Sequence, residues 1–94
     1  MSKAVIRAFK RSGLKQHELA SILNVSRMTV NSWLCERHAI HPLMKRRATL
    51  VAVAISKAIE DKELPYEGNL KGFDRLKKVR RIVATGLTKI PAQA

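Results

Sequence analysis

Apolar residues recur along this chain in steps of three and four, the period of an α-helix. In residues 3–12, Val5, Ile6 and Phe9 share one face, with Ala8 alongside. Ser2 is a candidate N-cap for this first helix. Gly13 is a natural stop, after which Leu14 folds back onto the core. In residues 16–23, Leu19, Ile22 and Leu23 fall at i, i+3 and i+4. In residues 27–35, Val30, Trp33 and Leu34 repeat that spacing. Both runs predict short amphipathic helices.

Two longer elements follow. After a loop at 36–41, Pro42 suits the first turn of a fourth helix spanning 42–62, which Leu64-Pro65 ends. Its apolar residues Leu43, Met44, Ala48, Leu50, Val51, Ala54, Ile55, Ala58 and Ile59 cover nearly half its circumference. A surface helix needs a stripe of only about 100°. The excess calls for two contacts: one to its own core and one to a second copy through Met44, Ala48, Val51, Ile55 and Ile59. Deep burial by the C-terminal segment satisfies the same pattern. Gly68-Asn69 and Gly72 mark a turn. Leu70, Phe73, Leu76, Val79 and Val83 then predict a fifth helix over 70–85. From Gly86 onward the pattern fades into an expected tail over 86–94, with Pro91 in it. The chain thus reads as one all-α domain of five helices over 1–85.

The join between the second and third helices carries the most specific signal. Asn24 is placed at the turn, where a left-handed backbone favours Gly first and Asn next. Ser26 is a good N-cap. Ala20 leaves room for a close helix crossing, and Val25 plugs the corner. The outward residues of the third helix are Arg27, Met28, Asn31 and Ser32. Such a short polar and basic face suits a DNA major groove.

Residues 16–35 resemble the helix-turn-helix of the Cro and phage-repressor (Xre-like) family. Gly13-Leu14, Gln16, Leu19-Ala20, Leu23, Val25-Ser26, Val30 and Trp33 carry the resemblance, which extends over roughly residues 3–60. It implies a small lambda-repressor-like DNA-binding domain with an extended fourth helix and a C-terminal helix. It also places Gln16, at the start of helix two, next to DNA. Two departures stand out. Asn24 replaces the usual turn glycine. Where the family often pairs an Arg in helix one with a Glu after the Trp, this chain has Phe9 and Leu34. A hydrophobic Phe9–Leu34 contact in place of the ion pair is the expectation, since such swaps are often neutral or stabilising.

Charge sharpens the picture. Nineteen Lys and Arg against seven Asp and Glu give a net charge of +12. Beside a helix-turn-helix, that excess reads as an electrostatic footprint for phosphate. The phosphate candidates are Lys3, Arg7, Lys10, Arg11, Lys15, Ser26, Thr29 and Arg37. The base-reading candidates are Gln16, Arg27, Met28, Asn31 and Ser32. Arg27 suits a guanine and Met28 a thymine methyl. The run Arg75, Lys77, Lys78, Arg80 and Arg81 is either a solvated face or a second nucleic-acid contact. A membrane surface also attracts such charge, but no stretch is long and apolar enough to span a bilayer. No signal peptide is visible, so a soluble cytoplasmic protein is expected.

Cys35 is the lone cysteine, so no intrachain disulfide is possible. Its default role is that of a small buried or half-buried hydrophobe. His17, His38 and His41 do not join it in finger-type spacing, and no metal or cofactor is expected. No carboxylate pair lines an apolar cleft and no nucleophile has a credible base, so an enzyme is not expected. The leading reading is a sequence-specific regulator of double-stranded DNA. It is expected to act as a homodimeric repressor of phage or plasmid type, occupying a palindromic operator through helix 27–35. The alternative is an antitoxin-like protein that also binds a protein partner through helix four and the C-terminal region.

Overall fold

The computed structural model describes residues 2–88, with side chains from Lys3 onward. Among the described residues there are five helices and no strand: α1 (Ser2–Arg11), α2 (Gln16–Leu23), α3 (Arg27–Leu34), α4 (Pro42–Glu60) and α5 (Gly72–Thr88). The expected cap by the Ser2 side chain and the expected tail beyond Thr88 lie outside the described residues.

Local chemistry explains most boundaries. α1 stops where Gly13 turns to φ +72°; a Cβ there would sit 2.7 Å from that of Pro65, so chain direction and space both require glycine. Ser12 is buried beside it and fully used. Its hydroxyl donates to the Phe9 carbonyl at 2.6 Å and accepts from the Leu14 amide at 3.1 Å. α2 ends at Asn24, which adopts the expected left-handed conformation (φ 59°, ψ 47°). Ser26 caps α3 by accepting the Thr29 amide at 3.0 Å. His41 Nδ1 accepts the Leu43 amide at 3.1 Å, and Pro42 occupies the first turn of α4.

The core runs through all five helices. Val5, Ile6 and Phe9 of α1, Leu19 and Leu23 of α2, and Val30 and Trp33 of α3 belong to one buried cluster with Val51 and Ile55 of α4 and Val79, Ile82 and Val83 of α5. Phe9 is buried, and Leu34 is half-buried and packed against the same cluster. α4 is the axle: it packs on α1, on α2 and, most extensively, on α5.

That last contact corrects the sequence reading of α4. Ala48, Val51 and Ile55 are buried within the protein's own core, and Met44 and Ile59 are half-buried against it. Those five residues are therefore not a free face for a second copy. α1 and α5 together cover most of the wide apolar arc, leaving Leu43 86% exposed and Leu50 half-buried. Gly86 is the reason the two helices approach so closely. A Cβ on Gly86 would meet the Ala54 carbonyl oxygen at 2.9 Å. Expected at the start of the tail, Gly86 is in fact a buried residue of α5, which continues to Thr88. Phe73 also departs from expectation: it is 70% exposed, with the Lys77 ammonium 5.3 Å from its ring centre. Leu70 is exposed too, so the buried face of α5 starts at Leu76 and runs through Val79, Ile82 and Val83.

Candidate nucleic-acid interface

α2 and α3, eight residues each, are joined through Asn24, Val25 and Ser26. α3 is held by two buried side chains, Val30 and Trp33. Everything else on it is at least partly accessible. Arg27 is exposed, Met28 is 78% exposed, and Asn31 and Ser32 are half-buried. Met28 shares this exposure with Leu43, 86% exposed, and Phe73, 70% exposed.

The polar groups of this face are partly organised already. The Ser26 and Thr29 hydroxyls lie 2.8 Å apart. One donates to the other, leaving a single hydroxyl hydrogen for an outside acceptor. The Asn31 amide oxygen lies 3.5 Å from the Arg37 guanidinium and 3.8 Å from Cys35 Sγ. Its amide N–H groups are left to donate outward. Arg37, expected at phosphate, thus sits beside a base-reading candidate. Cys35 caps the C-terminus of α3 and is exposed, contrary to the buried role expected of it. The apolar side of α3 is filled at Val30 and Trp33, and the Cys35 position lies past the last turn.

Gln16 opens α2 and is half-buried, with Lys15 exposed at the cap position. Lysine has no side-chain acceptor, so Glu18 does the capping in reverse: its carboxylate accepts the Lys15 amide at 2.8 Å. At the other end of α2, Arg47 of α4 donates to the Ile22 carbonyl at 3.0 Å. A cation there satisfies an orphan carbonyl and opposes the helix dipole.

The structure separates the cations of α1 from Lys15. Lys3, Arg7 and Lys10 line one recess of about 320 Å³ with Ile6 and Glu36, near the C-terminus of α3. Lys15 lies at the start of α2 and lines another recess with Lys71 and Arg75. Arg11 is exposed and lines neither of these two recesses.

The chain matches no family model, no curated protein and no solved structure.

Its functional reading therefore rests on the geometry of α2, α3 and the cations around them. One pair in that geometry was not anticipated. Glu18, with a side chain 1% exposed, accepts from Arg75 Nε at 2.7 Å. Arg75 also donates to the Gly13 carbonyl at 3.3 Å and lies 5.5 Å from the Tyr66 ring centre. Burial pushes the Glu18 carboxyl pKa up. The Arg75 and Lys15 hydrogen bonds, with the charges of Arg75 and His17, outweigh that and hold it below the ordinary carboxylate value. Arg75 is thus a structural strut among the basic residues of α5. The available signal was Glu18 itself, the first acid of the chain after a basic run from Lys3 to Lys15 that contains none.

Among the described residues, no three His, Cys, Asp or Glu side chains group to hold a metal ion. No described helix is long and apolar enough to cross a membrane.

Proposed function

We propose that the protein is a sequence-specific regulator of double-stranded DNA that acts by occupying an operator. The observation that carries this is the construction of α3. Val30 and Trp33 lock one side into the core, while Arg27, Met28, Asn31 and Ser32 stand on the accessible side. α3 enters the major groove and α2 crosses the phosphate backbone with Gln16 and Lys15 at its start. A net charge of +12 supplies the sequence-independent attraction. So small a domain makes few base contacts, and two half-sites about one helical turn apart give it specificity as a two-fold pair on a palindrome. Repression by excluding polymerase needs no further ligand-binding domain.

Selection of bound duplexes from a random pool tests this reading. The expected result is a palindromic consensus. Arg27→Ala costs about 1–3 kcal/mol of binding and relaxes one base position, with other positions unchanged. Recovery of no consensus, or affinity that does not respond to salt, overturns the reading.

A second reading has its own support. An apolar groove of about 480 Å³ lies between α1 and α4, lined by Ala4, Val5, Ile40, Thr49 and Leu50 and edged by Lys45 and Arg46. An antitoxin-like protein would use such a groove for a protein partner while α3 holds DNA. Co-purification of a second small protein, lost on Leu50→Asp with DNA binding intact, would favour it.

A further inference from the structure

The proposed docking of α2 and α3 leaves the basic residues of α5 without a role. α5 carries five cations, Arg75, Lys77, Lys78, Arg80 and Arg81, against one acid, the exposed Asp74. Helical spacing divides them. Arg75 and Lys78, three apart, share one flank, Lys77 and Arg80 lie on the other, and Arg81 falls between them. Lys71 lies just before α5, on the recess that Arg75 also lines. Arg75 identifies where the first flank lies, because its guanidinium bonds Glu18 in the first turn of α2 and the Gly13 carbonyl just before it. The same flank borders a recess of about 610 Å³ lined by Lys15, Gly68, Asn69, Leu70, Lys71 and Arg75. The Glu18–Arg75 pair is neutral as a unit. Lys15 and Lys71 therefore give the recess a net positive charge.

We propose that Lys78 of α5 and Lys71 just before it, together with Lys15, form a second phosphate track along the start of α5. This track holds the DNA backbone flanking the half-site read by α3. The proposal rests on the helix-turn-helix reading above. In that docking the start of α2 lies against the phosphate backbone, and α5 is tied to the start of α2 by the Glu18–Arg75 strut. Contacts of this kind position the protein and carry no base preference. They lengthen the footprint of a small domain on the side where α1 makes no contribution. Lys3, Arg7 and Lys10 border a different recess, beside Glu36.

The test is affinity against salt for the wild type, K71Q/K78Q, and the opposite-flank control K77Q/R80Q. Each is measured by fluorescence anisotropy on a duplex with the selected site and long flanks, and on one trimmed to the site. All four positions are exposed, so the fold is retained, which melting curves verify. On the long duplex, the slope of log affinity on log salt becomes shallower by about 1.8 for K71Q/K78Q, at about 0.9 for each phosphate released. The preference for the consensus over a scrambled site is unchanged. The control keeps the wild-type slope. On the trimmed duplex all three proteins have the same slope. K71R/K78R restores the wild-type slope.

A wild-type slope in K71Q/K78Q, or an equal loss in the control, overturns the α5 track while leaving the α3 reading standing. A wild type that binds no duplex overturns both.

Discussion

α1 and α5 are both clamped onto the same central helices, by opposite means. α1 is held through Phe9, which is 1% exposed in the hydrophobic core, with Leu34 half-buried on the same core. α5 is held by an apolar seam on α4 and by a buried ion pair, Glu18–Arg75, onto α2. An apolar joint takes its strength from area removed from water and has no group of its own to titrate. An ionic joint has directional bonds but leaves a costly orphan if either partner is lost. The first kind fixes α1 without specifying its contacts atom by atom. The second fixes the start of α5 at one place on α2, where a phosphate track would need it.

The largest effect expected on this contrast is Phe9→Ala. It removes a buried aromatic and costs about 4 kcal/mol of unfolding free energy, measured by urea titration. The cost stays the same at neutral and acidic pH. A cost that changes with acidification would show that the α1 joint is not purely apolar.

Arg75→Ala comes next. It strands the Glu18 carboxylate and costs about 3 kcal/mol at neutral pH, toward the low end for buried pairs because Arg75 is 16% exposed. The double variant Glu18→Leu/Arg75→Met recovers most of that loss. Failure to recover would mean that the pair, with the α2 cap that Glu18 also supplies, is worth more than packing.

Gly86→Ala follows at about 2 kcal/mol, because the added methyl meets the Ala54 carbonyl and side chain at 2.9–3.0 Å. A neutral outcome would show that the α4–α5 crossing relaxes readily.

The smallest effect is the pH response of the strut. The Glu18 pKa is lower in the folded than in the unfolded chain, so the unfolded state takes up its proton first as pH falls. The stabilisation is present above the ordinary carboxylate range, about 4.3 for Glu, and is lost as pH drops through the lowered folded value. The wild type therefore loses stability over that window, and Glu18→Gln lacks this component. Parallel acid melting profiles of the two would remove the strut from the account.

Where a structural choice depends on neighbours in the chain, it was legible beforehand. α2 runs over the expected Gln16–Leu23, and α3 begins at Arg27 as expected. Gly13, Asn24, Ser26 and Pro42 occupy the terminus positions that their backbone chemistry suits. The accessible residues of α3 follow directly from which two are buried. Less legible was what a residue meets across the molecule. Gly86 has the composition of a helix breaker and the role of a close-packing residue; only the position of Ala54 distinguishes them. The arc of α4 has one pattern and two possible covers, and for Ala48, Val51 and Ile55 the cover is the protein's own core.

From its own order of residues, this chain determined five helices, most of their ends, an apolar α1 joint and a basic surface. These follow from backbone preferences and from periodicities of three and four, which need no knowledge of distant residues. Tertiary structure alone decided that Arg75 leaves the basic face to neutralise Glu18, 57 positions away, and that Lys71 thereby comes to share a recess with Lys15. A charge pattern in one dimension counts cations. Burial and distance determine which of them are spent on the fold and which remain for a partner.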